Sequence, residues 1–375
     1  MNRALTGADI FDGKQLHEGK AFLLDGDVFC GIVPAESVPA AFGIEELSGG
    51  TILPGFVDLQ ANGGGGVMFN DETSVDGLRA IAQAHATTGT RALLPTLITD
   101  TPSRTRAAVE AVEAAIEHKM PGIIGIHLEG PHLSVARKGA HDPELIRPMT
   151  DSDEAFLVET AKRLANVMLT VAPENVTCNQ IARLSEAGVI VSLGHTDCTM
   201  TEAEAAFEAG ARCVTHLFNA MSQMGNREPG LVGAALNTST ISAGMIADDI
   251  HVHQASMRVA LSSKQGPGNI FLVTDAMSTV GSDITELKLN GRRILRQNGQ
   301  LTLEDGTLAG ADLELSHALS ILVENMGIPK ERAFAMATLF PAQVLPQPGT
   351  AGRFVVGSAA NAILLDDSLR YIRGL

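Results

Sequence analysis

TILPGFVDLQANGGGG, residues 51–66, opens a repeating pattern of strand and helix signals. An apolar run ends at Leu59, the amide side chains of Gln60 and Asn62 follow, and four glycines come directly after them. A doubly wound sheet commonly has the order G-x-G-x-x-G after its first strand, where the glycine backbone cradles a phosphate. The four consecutive glycines lack that order. This stretch therefore argues against a nucleotide loop and favours the other common parallel architecture, a barrel.

Apolar strand signals alternate with alanine-rich helical stretches from residue 51 to residue 275. Several of the helical stretches repeat apolar residues every 3.6 positions and close on glycine. Buried parallel strands joined by helices make an α/β fold, and eight strands in ~225 residues match the usual size of a (β/α)8 barrel. The predicted strands cover residues 51–59, 92–98, 122–129, 167–172, 188–195, 213–216, 241–248 and 270–275, and the predicted helices cover 74–89, 104–119, 152–166, 179–188, 201–210 and 253–264.

Both ends of the chain carry shorter, alternating strand signals. Residues 1–50 predict a small β module, and residues 346–375 are strand-like again and are expected to return to it. Between them, two Asn-Gly dipeptides predict a β-hairpin insertion near 283–305, and a helical pair follows at 316–326 and 331–340. We therefore predict a (β/α)8 TIM barrel over 51–345 with a small, discontinuous β-sandwich domain built from both termini.

The composition narrows the class of partner. The formal net charge is −16, Trp is absent and Tyr occurs once, which argues against nucleic acid and anionic membranes as partners. The four cysteines form no C-x-x-C pair and read as reduced thiols. No run of 18 apolar residues and no apolar signal core are present. The sequence therefore predicts a cytoplasmic protein, and its charge is compatible with a phosphorylated small molecule as partner, because such a site needs only one or two local cations.

Polar residues follow several of the predicted strands, and in a barrel these C-terminal strand ends meet at one functional face. Glu129, His195 and His216 end three strands and make the ligand set of a catalytic zinc, which leaves one coordination position for water. A lone histidine is more often a hydrogen-bonded core residue, but three ligand-type residues at three strand ends favour a metal site. Asp275 ends the last strand and is the predicted proton shuttle, although a turn or cap role is the alternative.

Other histidines fit the metal shell less well. His127 lies two residues before Glu129 and therefore one layer deeper, which predicts a core or supporting role. His251 and His253 would share a face of a strand, but they begin a predicted helix. His132 stays open as a packing residue or an additional weak ligand.

Seven motifs together resemble a known family. They are HLEGPH (127–132), KGAHDP (138–143), SLGHTD (192–197), THLFNAM (215–221), PGLVGAAL (229–236), LVTDAM (272–277) and GTLAG (306–310). On these motifs the chain resembles the N-acetylglucosamine-6-phosphate deacetylases of the amidohydrolase superfamily over nearly its whole length. The resemblance implies a metal-dependent (β/α)8 barrel that hydrolyses the acetamide of a sugar phosphate, usually as a homodimer.

The resemblance also implies residue roles. It places the metal ligands on Glu129, His195 and His216 and the catalytic carboxylate on Asp275, in agreement with the strand ends. His141 would polarise the substrate carbonyl. Arg227 would contact the phosphate of the neighbouring subunit in a homodimer. The implied substrate contacts are Ala140, His141, Asn219, Ala220, Arg227, His251, Leu308, Ala309 and Gly310.

Gln60 and Asn62 bear on the number of metal ions. Superfamily members with His-x-His at this place hold a second metal there, and amide side chains are poor zinc ligands by comparison. The resemblance thus implies one divalent metal per subunit, with Gln60 and Asn62 lining the site or orienting its groups. Zinc is the expected ion, and the ligand set also suits Fe²⁺, Co²⁺ or Mn²⁺.

The predicted reaction is hydrolysis of the acetamide of N-acetyl-D-glucosamine 6-phosphate to D-glucosamine 6-phosphate and acetate. The same chemistry on the galacto epimer, or on a cyclic amide, is the nearest alternative. A catalytically silent scaffold is disfavoured, because the predicted ligands and the predicted acid/base residue are all present in the sequence.

Overall fold

The computed structural model describes residues 2–289, 291–304 and 306–375, and within them eight parallel strands form a barrel. Successive strands pair in parallel, with His127 opposite Met168 and Ser192 opposite Cys213. The prediction of a (β/α)8 barrel is confirmed. The barrel strands are Phe56–Ala61, Thr90–Ile98, Ile126–Glu129, Val167–Val171, Ile190–Leu193, Cys213–Val214, Ser242–Met245 and Ile270–Leu272.

The barrel closes between its first and last strands at a short seam, formed by residues 60–63 against residues 275–276. The Asp275 amide donates to the Gln60 carbonyl at 2.9 Å, and the Asn62 amide donates to the Ala276 carbonyl at 2.8 Å. Ala61 and Ala276 form a parallel bridge between these bonds. The closing contacts therefore lie at the C-terminal end of the strands, where the predicted site residues are.

The single strand predicted over 51–59 is two strands, which is a correction. Thr51–Pro54 pairs with Ala362–Leu365, whereas Phe56–Ala61 begins the barrel. Gly55 separates them, and a Cβ atom at Gly55 would lie 2.1 Å from Cγ of Arg91. Because glycine has no side chain there, the chain can pass close to Arg91 as it moves from one sheet to the other. The strand predicted over 122–129 is also two strands, Gly122–Ile123 and Ile126–Glu129, but both pair with the same barrel strand, Thr90–Ile98.

Threonine caps begin several helices around the barrel. Thr150, Thr177 and Thr199 each make a reciprocal capping box with the residue three positions later. The helix Gly230–Asn237 was not predicted from the sequence. In the described part of the chain, no helix is long and apolar enough to span a membrane. The α-helices are Val75–Ala86, Pro102–Glu117, Asp151–Arg163, Cys178–Glu186, Met200–Glu208, Gly230–Asn237, Gln254–Ser263, Leu315–Ser320, Lys330–Ala337 and Leu339–Val344, with 3-10 turns at Ala35–Ser37 and Val135–Arg137 and a π-helical turn at Ile321–Asn325.

Two sheets form the small β domain, the first from N-terminal strands and the second from strands of both termini. Phe22 and Phe29 stack at 4.9 Å between ring centroids in its core, and both pack against Phe354. The first sheet orders Val28–Pro34, Lys20–Asp25, Asn2–Thr6 and Gly43–Glu46, and the second orders Tyr371–Gly374, Ala362–Leu365, Thr51–Pro54, Asp9–Phe11 and Leu16–His17.

The domain boundaries at residues 50 and 345 stay a proposal. The pairing of Thr51–Pro54 with the terminal sheet supports moving the first boundary a few residues later.

The insertion after the last barrel strand is an antiparallel sheet, as its Asn-Gly dipeptides predicted. In the described part of this segment the strands are Glu286–Leu289, Arg292–Gln297 and Gln300–Leu303. Asn290 and Asp305 lie outside the described residues. The apolar face of this sheet packs against Met277 and Ala309, so the insertion covers one side of the barrel mouth. A further two-stranded turn pairs Gly63–Gly64 with Val67–Met68.

Candidate metal centre and active site

The C-terminal ends of the barrel strands surround a cavity of about 400 Å³. Most of the residues implicated by the sequence line it. Three do not: Gln60 is buried beneath the cavity, Ala309 is fully buried, and Arg227 is exposed on the loop before helix Gly230–Asn237. The lining includes Asn62, Glu129, Ala140, His141, His195, His216, Asn219, Ala220, His251, Asp275, Leu308 and Gly310.

The predicted ligand atoms of Glu129, His195 and His216 form a small triangle. Nε2 of His216 lies 3.1 Å from Oε1 of Glu129 and 3.1 Å from Nε2 of His195, and the third side, His195 Nε2 to Glu129 Oε1, is 3.3 Å. Ligand atoms about 2.0–2.1 Å from a tetrahedral zinc are separated by about 3.3 Å. Protons cannot satisfy all three atoms at once, whereas one divalent cation can. The donor set therefore fits a bound metal ion.

The orientation of His195 supports the same interpretation. Its Nδ1 lies 2.8 Å from the carbonyl oxygen of Arg137, so Nδ1–H donates there and Nε2 keeps its lone pair. A carbonyl behind a metal-binding imidazole commonly fixes the tautomer in this way. The structure thus presents a nitrogen ready to coordinate, on the side that faces Glu129.

His141 completes a second, overlapping group with Glu129 and His195, in which the potential ligand atoms lie within 4.8 Å of one another. Nδ1 of His141, however, faces Thr99, accepting from its backbone N–H at 3.3 Å and lying 2.8 Å from its hydroxyl Oγ1. The hydrogen of a neutral imidazole then sits on Nε2, which lies 3.7 Å from Oε2 of Glu129. Burial, followed by the electrostatic effect of the neighbouring His195, lowers the pKa of His141 to about 4. This arrangement favours His141 as a hydrogen-bond donor to the cavity.

Glu129 is ionised despite its position. Burial alone would raise its pKa, but the three facing imidazoles of His141, His195 and His216 outweigh burial and hold the pKa well below the usual range. Burial likewise opposes a charge on His216, and the hydrogen bond and negative charge of Glu129 overcome it and raise the His216 pKa. A buried carboxylate among imidazoles is the electrostatic setting that a divalent cation requires.

Asp275 stands beside this triangle and is held by two amides. Its Oδ1 accepts from Nε2 of Gln60 at 3.1 Å and from Nδ2 of Asn62 at 2.7 Å. Nε2 of Gln60 also donates to Oε1 of Glu129 at 3.0 Å. Burial, then the negative charge of Glu129, raises the pKa of Asp275 to about 6. Such a carboxylate can both accept and return a proton near neutral pH.

Three of these residues have unusual backbone conformations. The φ angles of His195, His216 and Asp275 are +48°, +26° and +50°, in the left-handed region that side-chain-bearing residues rarely adopt. Strain of this kind costs of order 1–3 kcal/mol per residue and concentrates at functional sites. Each conformation turns the chain sharply at a strand end, next to the cavity that these side chains line.

Of the other residues implied to bind substrate, His251, Asn219 and Ala220 line the cavity, whereas Arg227 does not. Nδ1 of His251 pairs with Oδ2 of Asp248 at 2.6 Å, while the backbone amide of His251 donates to Oδ1 of the same carboxylate. Asn219 and Ala220 lie on a turn after the His216 strand end and face the cavity. Arg227, by contrast, makes no ion pair or hydrogen bond within the residues that the structure describes.

His127 and His132 do not reach the cavity lining. Nε2 of His127 lies 2.8 Å from Oγ1 of Thr170, one layer below Glu129, and burial lowers the pKa of His127 to about 4. Nδ1 of His132 lies 3.0 Å from the carbonyl oxygen of Arg147. Both rings therefore act as hydrogen-bonded interior groups.

Arg137 is a cavity residue that the sequence did not reveal. Its guanidinium pairs with Asp197 at 2.7 Å, and its carbonyl accepts from His195. It follows the Glu129 strand end in a long loop without regular periodicity. No pattern in that loop distinguishes Arg137 from a surface cation.

Comparison with known proteins agrees with the motif resemblance. The amidohydrolase family model matches residues 51–373. An N-acetylgalactosamine-6-phosphate deacetylase of Shewanella sp. (strain ANA-3) is 39% identical, covering 98% of this chain and 92% of its own. An N-acetylglucosamine-6-phosphate deacetylase of Haemophilus influenzae is 32% identical, covering 99% and 97%. The crystal structure of N-acetylglucosamine-6-phosphate deacetylase from Pasteurella multocida superposes with a TM-score of 0.94 at 34% identity, covering 100% and 98%.

Proposed function

The chain belongs to the amidohydrolase family, and we propose that it hydrolyses the acetamide of N-acetyl-D-glucosamine 6-phosphate to D-glucosamine 6-phosphate and acetate. The observation that carries this proposal is the triangle of Glu129, His195 and His216 with Asp275 beside it. Together these residues supply a metal site and an acid/base at the mouth of the barrel. The relatives with that activity span nearly the whole chain.

Glu129, His195 and His216 would hold one divalent metal, which we propose to be zinc, with Fe²⁺, Co²⁺ or Mn²⁺ as the alternatives. When bound, the metal supplies a positive charge beside the substrate carbonyl and lowers the pKa of the attacking water. Gln60 donates to Glu129 rather than accepting from it, so its amide nitrogen faces the site. That nitrogen is no metal ligand, which supports a single metal ion.

The residues around this site carry out the proton transfers. Asp275 takes a proton from water as the water oxygen bonds to the carbonyl carbon, and it later gives that proton to the nitrogen as the C–N bond breaks. His141 donates Nε2–H toward the carbonyl oxygen, where negative charge develops. Asp248 fixes His251 at the cavity wall, where it is positioned to contact substrate.

The phosphate is proposed to orient the sugar away from the reacting carbon. Asn219, Ala220 and His251 would contact it within the subunit, and Leu308, Ala309 and Gly310 would shape the loop that faces the sugar. Arg227 is exposed and has no protein partner among the described residues, which supports its reaching the phosphate of a second subunit in a homodimer. We also propose a cytoplasmic location, because sugar phosphates are intracellular metabolites.

A second substrate deserves equal testing. The Shewanella relative, at 39% identity, is named for the galacto epimer, whereas the Haemophilus relative at 32% is named for the gluco epimer. These two sugars differ only in the configuration at C4. The proposed chemistry at the acetamide is the same for both.

The test is acetate release from both sugar phosphates, assayed on one protein sample whose metal content per chain is measured. One metal per chain with faster release from the gluco epimer supports the proposal. Faster release from the galacto epimer would identify N-acetyl-D-galactosamine 6-phosphate as the preferred substrate. Activity with two metal ions per chain would refute the single-metal site. Protein with metal bound but no acetate release from either epimer overturns the proposed function.

A further inference from the structure

The carboxylate of Asp275 is held asymmetrically. Its Oδ1 receives two N–H donors, from Gln60 at 3.1 Å and from Asn62 at 2.7 Å. The carbonyl oxygen of Asp275 also lies 3.3 Å from Nδ2 of Asn62. Two acceptors on the same side of the Asn62 amide fix its NH₂ group toward Asp275. Both donors therefore hydrogen-bond to the same oxygen of the carboxylate, Oδ1.

The other oxygen of Asp275 is in a different position. Within the described parts of the chain, Oδ2 accepts no hydrogen bond, and Asp275 is partly exposed where it lines the cavity. Each oxygen of a carboxylate offers about two acceptor sites. The two amides fill those of Oδ1, so a proton arriving from the cavity can bind only at Oδ2.

Gln60 adds a link to the proposed metal ligand. One hydrogen of its NH₂ group faces Oδ1 of Asp275, and the other faces Oε1 of Glu129. The Gln60 amide therefore sets the distance between the carboxylate of Glu129, which would bind the metal, and the carboxylate of Asp275, which would transfer the proton. Asn62 contacts only the second of these, which makes it the cleaner residue to test.

We propose that Gln60 and Asn62 are positioning residues that occupy Oδ1 of Asp275, so that Oδ2 alone exchanges the proton during hydrolysis. The inference rests on the proposed function. On attack, the O–H bond of water breaks as the oxygen bonds to the carbonyl carbon, and the proton binds Oδ2. On collapse, that proton passes from Oδ2 to the nitrogen as the C–N bond breaks, while the second proton of the water stays on the new carboxyl group and leaves to solvent as acetate forms.

The test is a double-mutant cycle built from Asn62→Leu and Asp275→Asn. If Asn62 acts through Asp275, Asn62→Leu lowers kcat about 10- to 100-fold in the wild type, a part of the full acid/base contribution. It leaves KM and metal content unchanged. In the Asp275→Asn background the same substitution then has no further effect on kcat.

Asn166→Leu is the matched control. Asn166 is a buried amide whose Nδ2 donates to the carbonyls of Ile124 and Gln347 at 2.8 and 3.0 Å, at the opposite end of the barrel. We expect it to leave kcat unchanged. Gln60→Met supplies a second cycle if Asn62→Leu does not fold.

Equal losses of kcat in both backgrounds would overturn the inference, and so would a loss of metal in Asn62→Leu. Either result would leave the proposed function standing, because the wild type would still release acetate. Wild-type protein that holds metal and releases no acetate would instead refute the proposed function, and with it the inference about Gln60 and Asn62.

Discussion

Replacing Asp275 with asparagine is the sharpest test of the proposed chemistry, because the structure separates its catalytic effect from its structural one. Asparagine has nearly the same shape, and its Oδ1 can still accept from Gln60 and Asn62. The substitution also removes a negative charge whose neighbour is the carboxylate of Glu129. We therefore expect the folded state and the metal site to survive.

What the asparagine variant loses is the ability to carry a proton. General acid–base catalysis by a positioned side chain contributes about 10²–10⁴ in rate. At about 1.36 kcal/mol for each factor of ten, the activation barrier should rise by about 2.7–5.4 kcal/mol. A neutral amide does not take a proton from water near neutral pH, so no nearby group restores the lost step.

The assay is acetate release under saturating N-acetyl-D-glucosamine 6-phosphate, with metal content and the unfolding midpoint measured on the same sample. The expected result is one metal per chain, an unfolding midpoint close to that of wild type, and kcat reduced at least 100-fold. A variant that holds its metal and keeps kcat within about tenfold of wild type would refute the role of Asp275.

Three further predictions concern the same site. Burial raises the pKa of Asp275, and only the ionised carboxylate accepts a proton, so kcat/KM should fall about tenfold per pH unit below the pKa of Asp275. An Asp275→Asn profile with the same acidic limb as the wild type would contradict this. His141→Asn should lower kcat about 10²–10³-fold while metal analysis still finds one ion, since the imidazole is a donor to the oxyanion; loss of the metal would make His141 a ligand. Arg227→Ala should raise KM about 10- to 100-fold, as expected for a lost charged hydrogen bond to phosphate, with kcat little changed. An unchanged KM would exclude the contact. Sedimentation of the same samples would measure whether the protein is a dimer.

The strand ends could be predicted because periodicity locates parallel strands, and parallel strands bring their C-terminal ends to one face. Glu129, His195 and His216 are far apart in sequence, yet the structure brings their ligand atoms within 3.3 Å of one another. The alternation of strand and helix signals was enough to predict that meeting. Asp275 follows from the same argument, since the last barrel strand returns beside the first.

The loops could not be predicted in this way. His141 and Arg137 lie after the Glu129 strand end in a segment with no regular period, so only the resemblance pointed to His141, and nothing pointed to Arg137. The division of residues 51–59 at Gly55 was not predicted, for a different reason. Both halves are apolar and buried, and periodicity does not show when a continuous apolar run passes from one sheet to another.

The closing seam of the barrel has a consequence for how the enzyme loses activity. The backbone amides of Asn62 and Asp275 close the barrel, while the side chain of Asn62 donates to the carboxylate of Asp275, the proposed acid/base. Opening of the seam therefore dismantles the proton-transfer site, even if the surrounding helices stay folded. On heating, deuterium uptake at these two amides should accompany inactivation and precede the loss of helical signal. Hydrogen exchange at these amides would therefore measure whether the site is intact in the absence of substrate.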